Sequence, residues 1–157
     1  MFEEYAASLA IDLCFQGFAQ ELATLPKMYG PPSGALLLAE IDATPAGCVA
    51  VRPLDAATCE LKRLYVRPTH RGHNLGRLLT ESALATARAL GYERIRLDTL
   101  PEMQPAQRLY ESLGFHDIPA YYGDPIPGQR FMETSLTPAP SSPPGTEPRP
   151  QEADTKL

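Results

Sequence analysis

Between residues 59 and 100 the apolar pattern changes period twice, and this limits the possible fold more than any other feature of the chain. "CELKRLYV" (59–66) reads as a strand. "LGRLLTESALATARAL" then brings Leu75, Leu78, Leu79, Ala83, Ala87 and Leu90 round at helical spacing, and Gly91 is placed to end the helix. "ERIRLDTL" (93–100) returns to a strand. A strand–helix–strand unit requires a right-handed crossover, which makes its two strands parallel. A helix that leaves the C-terminal end of such a strand points its N-terminus at a ligand crevice. The stretch "RPTHRGHNLG" (67–76) lies at that point.

The remaining elements build a sheet around this unit. Residues 3–25 are mainly helical in pattern, with Pro26 and "YGPPSG" as breakers. "ALLLAEI" (35–41) reads as a strand, "TPAG" as a turn and "CVAVRPL" (48–54) as the hairpin partner. "QPAQRLYESL" (104–113) is a helix closed by Gly114, and "HDIPAYY" and "RFMETSL" are two strands around the loop "GDPIPGQ". The fold class is therefore α/β with a mixed sheet. The domain takes residues 1–136. The tail from 137 to 157 has six prolines and no aromatic residue, so it cannot bury enough apolar surface to offset its ordering entropy and is expected to be disordered.

Composition removes several function classes. A net charge of -5 gives no global basic field for nucleic acid or an anionic membrane. Apolar runs such as "GALLLA" are too short to span a bilayer, and the N-terminus is acidic where a signal peptide is basic. Cys14, Cys48 and Cys59 are odd in number and lack metal-type spacing, which suggests reduced thiols and a cytoplasmic location. His70 and His73 have no adjacent carboxylate or cysteine, and His116 is the only other histidine, so no metal site is expected.

At the start of the helix, amides near residues 72–76 lack intrahelical partners, and the helix dipole favours an anion there. Arg71 and Arg77 add full charges, Gly72 and Gly76 permit close backbone approach, and Asn74 tolerates a left-handed conformation. One reading is a diphosphate cradle. The other is an ordinary strand-to-helix turn, and spacing alone leaves both open.

"LYVRPTHRGHNLGRLLTESALATARALGY" resembles the acetyl-CoA-binding segment of the GNAT acetyltransferase superfamily. In that segment a strand and V-x-P precede Arg/Gln-x-x-Gly-x-Gly/Ala; here the positions are Arg71, Asn74 and Gly76. "AQRLYESLGF" is similar to the second signature, A-x-x-L-Y-x-x-x-G-F. The resemblance covers roughly residues 3–136. It implies a mixed sheet with helices on both faces, in which strands 59–66 and 93–100 splay apart. It further implies acetyl-CoA as cosubstrate, its pyrophosphate on the amides of Arg71, Gly72, His73, Asn74, Leu75, Gly76 and Arg77. The pantetheine arm would then run along Leu64, Tyr65 and Val66.

For the chemistry, the resemblance implies Tyr110 as general acid toward the coenzyme A sulfur, where position alone suggests a half-buried aromatic. Glu60 is the candidate base and Asp98 its reserve; the alternative for Glu60 is a structural ion pair with Lys62 or plain solvation. Regular alternation puts Glu60, Lys62, Leu64 and Val66 on one strand face. A backbone amide near Leu64 is a candidate donor to the thioester carbonyl. Asn74 stands where the family usually has glycine, Met103 where asparagine is common, and the family's usual first strand is not apparent. A homodimer partner covering that edge is one expectation.

The leading activity is acetyl transfer to a primary amine of a small molecule or amino acid by direct attack in a ternary complex. A protein N-acetyltransferase, a coenzyme-binding module without catalysis and a scaffold with a recruiting tail are the alternatives. The region 12–33 and the loop 121–129 should frame the acceptor site. Tyr29, Tyr121 and Tyr122 are candidates to line it, and Arg52 and Arg63 to bind an acceptor carboxylate.

Overall fold

The computed structural model of the chain describes residues 1–9 and 18–137. Six strands form one mixed sheet in the order β1-β2-β3-β4-β6-β5: β1 is Ala35–Ile41, β2 Thr44–Pro53, β3 Thr58–Val66, β4 Arg94–Thr99, β5 His116–Ile118 and β6 Arg130–Ser135. The pair β3–β4 is parallel and every other neighbouring pair is antiparallel. Helices α1 (Phe2–Ser8), α2 (Phe18–Ala23) and α3 (Leu25–Tyr29) precede the sheet, while α4 (Leu75–Ala89) and α5 (Gln104–Ser112) follow β3 and β4. The crossover is the one the change of period demands.

Two apolar clusters cover the two faces. Against α4 and α5, the sheet presents Val49, Val51, Cys59, Leu61, Ile95 and Leu97, packed with Leu79, Ala83, Tyr110 and Phe115. On the other face Cys48, Ala50 and Tyr65 pack with Phe2 and Tyr29 from the N-terminal helices. Helices thus lie on both faces, as expected.

Three local readings need correction. The β1–β2 turn is Asp42–Ala43, not "TPAG": both residues have positive φ (48° and 59°), the backbone of a two-residue primed turn. Thr44–Gly47 instead begins β2, where a register shift between Ala39 and Glu40 accommodates Pro45. Pro26 does not end a helix but sits in the first turn of α3, where its missing amide costs nothing. The strand expected over "HDIPAYY" stops at Ile118, before Pro119. The helical expectation for residues 10–17, Cys14 and the tail beyond Thr137 lie outside the described residues.

Candidate active site

The pairing of β3 with β4 is short. It joins Thr58 to Arg94, Cys59 to Ile95 and Glu60 to Arg96, and then the two strands part. Next to this opening, the register of β3 against β2 moves from Lys62–Ala50 to Tyr65–Cys48, so Arg63 and Leu64 together oppose Val49. This is a β-bulge, with Arg63 at φ 58°. The extra residue inverts the alternation. Leu64 and Val66 pack with Leu61 and Cys59 on the α4/α5 face. Glu60, Lys62, Arg63 and Tyr65 turn to the face of the N-terminal helices, with Arg52 opposite Glu60. Glu60 therefore does not share a face with Leu64 and Val66, contrary to regular alternation, because the bulge lies between them.

On the α4/α5 side, a groove of about 550 Å³ is lined by Leu64, Val66, Arg71, Gly72, Asn74, Leu75, Gly76, Arg77, Pro105, Ala106 and Leu109. Asn74 caps α4 in the left-handed conformation (φ 61°, ψ 16°), and Gly72 also has positive φ (85°). The substitution that departs from the family glycine thus keeps the backbone the turn requires. Asn74 makes no side-chain cap bond, and the Leu78 amide bonding to the Asn74 carbonyl at 3.1 Å begins the helical ladder. The preceding amides lack intrahelical acceptors at the start of α4, beside the groove. Arg71 is held by its own strand, its Nε donating to the Val66 carbonyl at 3.0 Å. Arg77 donates to Ser112 Oγ at 2.7 Å and pairs with Glu81. His73 is exposed and outside the groove lining, and Tyr65 projects to the opposite face. Met103, next to the groove, forms part of a cavity with Arg71, Leu100 and Pro105.

Where the strands part, Tyr110 from α5 lies with Leu61, Lys62, Arg63, Leu64, Asp98 and Leu100 around a narrow cavity. The Tyr110 ring tilts against Phe115 with centroids 5.6 Å apart. Burial pushes its phenol above the ordinary range, so it stays protonated at neutral pH. Lys62 crosses the gap between the strands to Asp98, Nζ to Oδ1 at 3.1 Å.

On the other face a cavity of about 500 Å³ is lined by Glu21, Arg52, Lys62, Arg63, Tyr122, Gly123, Asp124 and Gln129. Its walls come from α2, β2, β3 and the loop 121–129, so the expected framing segments are present. Glu60, fully buried, accepts from Arg52 Nε at 2.8 Å and from the Tyr121 hydroxyl at 2.8 Å, with Lys62 Nζ at 3.8 Å. Arg63 grips Glu21 with two bonds of 2.8 and 2.6 Å, and the Tyr29 hydroxyl donates to the same carboxylate at 2.7 Å. Burial works against the charge on Glu21, but the Arg63 and Tyr29 bonds prevail and hold it below its usual range. Asp98 behaves likewise: burial opposes its charge, and Lys62, with bonds from Tyr122 and Gln129, keeps it low. Of the three expected tyrosines only Tyr122 lines the cavity; Tyr29 and Tyr121 stand behind it as donors to Glu21 and Glu60.

Glu21 and Gln129 have no place in the sequence reading as functional residues. A buried glutamate on a short helix carries no motif; only its later partner, Arg63, marks it. Cys48 and Cys59 are buried, and burial pushes their thiols up to about 11 and about 12. Among the described residues no group of three or more His, Cys, Asp or Glu could hold a metal ion, and no helix is long and apolar enough to cross a membrane.

Parted parallel strands lie between a groove at a helix start on one face and a polar cavity on the other, and the comparisons with known proteins say which family shares this arrangement. The sequence model described as the acetyltransferase (GNAT) family matches residues 5–115, and the chain belongs to that family. An uncharacterized N-acetyltransferase of Schizosaccharomyces pombe is 43% identical over 137 residues, covering 86% of this chain and 84% of the relative. The crystal structure of an acetyltransferase from Streptococcus agalactiae superposes with a TM-score of 0.69 at 27% identity, covering 82% of this chain and 81% of the other. A GNAT acetyltransferase from Elizabethkingia anophelis with acetyl-CoA bound shares the fold, with a TM-score of 0.60 at 20% identity over 76% of this chain and 82% of its own. The chain is an acetyl-CoA-dependent acyltransferase.

Proposed function

We propose that the acetyl group passes to a primary amine of a small molecule or amino acid, by direct attack with both substrates bound. The observation that supports this reading most is the parting of β3 from β4 beyond Glu60–Arg96, with a groove opening from one face of the sheet and a polar cavity from the other. Two ligands can therefore meet at one gap without sharing a binding surface. Among the described residues Cys48 and Cys59 are buried and held protonated, so neither of these two thiols is suited to carry the acyl group.

Acetyl-CoA supplies an activated thioester. On this reading the amides from Arg71 to Arg77, with the two arginine charges, receive its pyrophosphate, and the backbone of Leu64, Tyr65 and Val66 receives its pantetheine arm. The bulge frees backbone at Arg63 and Leu64 from regular pairing, and an amide there polarises the thioester carbonyl. Tyr110 donates its proton to the departing sulfur, a role suited to a phenol that burial keeps protonated. Glu60 takes the proton of the attacking amine, directly or through water. A carboxylate has about four lone-pair sites, and Arg52 and Tyr121 each take one. Asp98, tied to Lys62 and Gln129, is the reserve base. Residues 1–136 make up the transferase unit, with Leu136 tied back by its amide to the Glu93 carbonyl at 2.8 Å and by Arg88 Nε to its carbonyl at 3.0 Å.

The test is thiol release from acetyl-CoA across a panel of amines, with the acetylated product identified by mass spectrometry. Release with amines and an N-acetylated product supports the reading. Absence of release with every amine, in protein that still binds acetyl-CoA, rules it out.

A further inference from the structure

We propose that the amine acceptor also bears a carboxylate, and that the outer edge of the Arg52 guanidinium is the group that recognises it. The inference rests on the amine-acetylation reading above and specifies its substrate.

Three cationic side chains line the polar cavity, and they differ in what they have left to offer. Arg63 spends Nε and Nη2 on Glu21, at 2.8 and 2.6 Å, and its side chain is 2% exposed. Lys62, 6% exposed, is bound to Asp98 at 3.1 Å and lies 3.8 Å from Glu60. Arg52 is 27% exposed and uses Nε alone, on Glu60 at 2.8 Å. Among the described residues no hydrogen bond is recorded from its Nη1 or Nη2. A guanidinium carries five donors in a planar fork that matches a carboxylate with two parallel bonds. Glu60, itself buried and tied to Tyr121, holds the inner edge of that fork and so fixes the direction of the outer one.

The charge on the wall selects among ligands. Asp124 lines the same cavity, Glu21 stands opposite and Glu60 lies behind Arg52, so a single negative charge is accommodated and a dianion meets repulsion. A polycationic acceptor meets Glu21 already taken by Arg63 and Tyr29, with the exposed Asp124 as the other carboxylate of the lining. The cavity's volume, about 500 Å³, suits a small ligand. Lys62 and Arg63 line both this cavity and the narrow one containing Tyr110, so the two are neighbours across those side chains. A ligand with its carboxylate on Arg52 can extend an amine a few bonds away toward the parted strands. A free amino acid has that shape.

The test uses the full chain, acetyl-CoA and matched acceptors: L-methionine, L-phenylalanine and L-aspartate beside their carboxamides, with spermidine as a polycation. The readout is kcat/KM for acid divided by kcat/KM for amide. In the wild-type protein at least one acid is expected to exceed its amide by a hundredfold or more. In Arg52→Gln that ratio should collapse toward one through a rise in KM for the acid, and Arg52→Lys should recover part of it. Loss of the Arg52–Glu60 contact slows acid and amide alike and leaves the ratio intact, which separates recognition from any effect on Glu60. Equal rates for acids and amides, a preference for spermidine or an unchanged ratio in Arg52→Gln would overturn the inference while leaving amine acetylation standing. No thiol release with any acceptor, with acetyl-CoA binding intact, removes the underlying reading and this one together.

Discussion

The two ligand-facing sides of β3 are built in different ways. The groove beside α4 is largely backbone: amides of a turn, two positive-φ residues and strand edges left unpaired. The cavity on the opposite face is built around side chains in buried ion pairs, Glu21–Arg63 and Asp98–Lys62 from segments far apart in the chain and Glu60–Arg52 from neighbouring strands. A shared cosubstrate can be held by groups every residue possesses. Discrimination among acceptors needs charges in fixed places, and those hold each other in position.

The largest effect should come from dismantling the side-chain side. Arg63→Ala leaves Glu21 buried without its partner, which is expected to cost about 3–5 kcal/mol of stability, read by urea denaturation. If the two sides are independent, protein that remains folded keeps its KM for acetyl-CoA; a parallel loss of coenzyme affinity would break the comparison. The same pair sets the acid limit. Glu21 binds a proton less readily folded than unfolded, so its contribution is complete above its ordinary value of 4.5 and is lost as pH falls through the depressed folded value. Melting temperature should therefore fall below that pH, and less steeply in Glu21→Gln.

Next in size is the chemical step between the two sides. Tyr110→Phe should lower kcat by about a hundredfold while both KM values stay near wild type, measured by steady-state thiol release. A rate within twofold of wild type would return Tyr110 to a packing role beside Phe115.

The backbone side should give smaller changes. Gly72 has φ 85° and nothing within 4 Å of an added Cβ, so Gly72→Ala tests conformation rather than space. A left-handed penalty of about 1–2 kcal/mol predicts a rise of roughly tenfold in KM for acetyl-CoA, with acceptor KM unchanged. Asn74→Gly should shift the same constant by less than about twofold, because asparagine already tolerates the left-handed region.

This division also decided what could be read from the sequence. The crossover and the helix start were legible because each follows from period or spacing within one short segment, whereas spacing marks Tyr110 only as a half-buried aromatic and its proposed role comes from the family resemblance. The bulge was not: "CELKRLYV" contains no glycine to announce a left-handed residue, and arginine at φ 58° is held there by tertiary contacts such as the Glu21 pair. Glu60 and Leu64 were consequently placed on one face. The Asp42–Ala43 turn was missed for the same reason, since alanine at positive φ has no sequence signal. Arg52 and Arg63 could be named as candidates for an acceptor site. That Arg63 is held through Nε and Nη2 depends on Glu21, forty-two positions away, whereas Arg52 is held by Glu60 through Nε alone.

The inserted residue in β3 has a consequence for how such a strand can change. It acts as a switch of parity: odd and even positions exchange sides at Arg63, so the β3 residues that face the polar cavity come mainly before it and those that line the groove beside α4 come after it. Substitutions at Glu60 and Lys62 can retune one partner without touching the surface presented to the other by Leu64 and Val66. A deletion at Arg63 would restore unbroken alternation with Leu64 and Val66 still on the α4/α5 face, so it would remove the Glu21 pair and the unpaired backbone while leaving the division of faces in place.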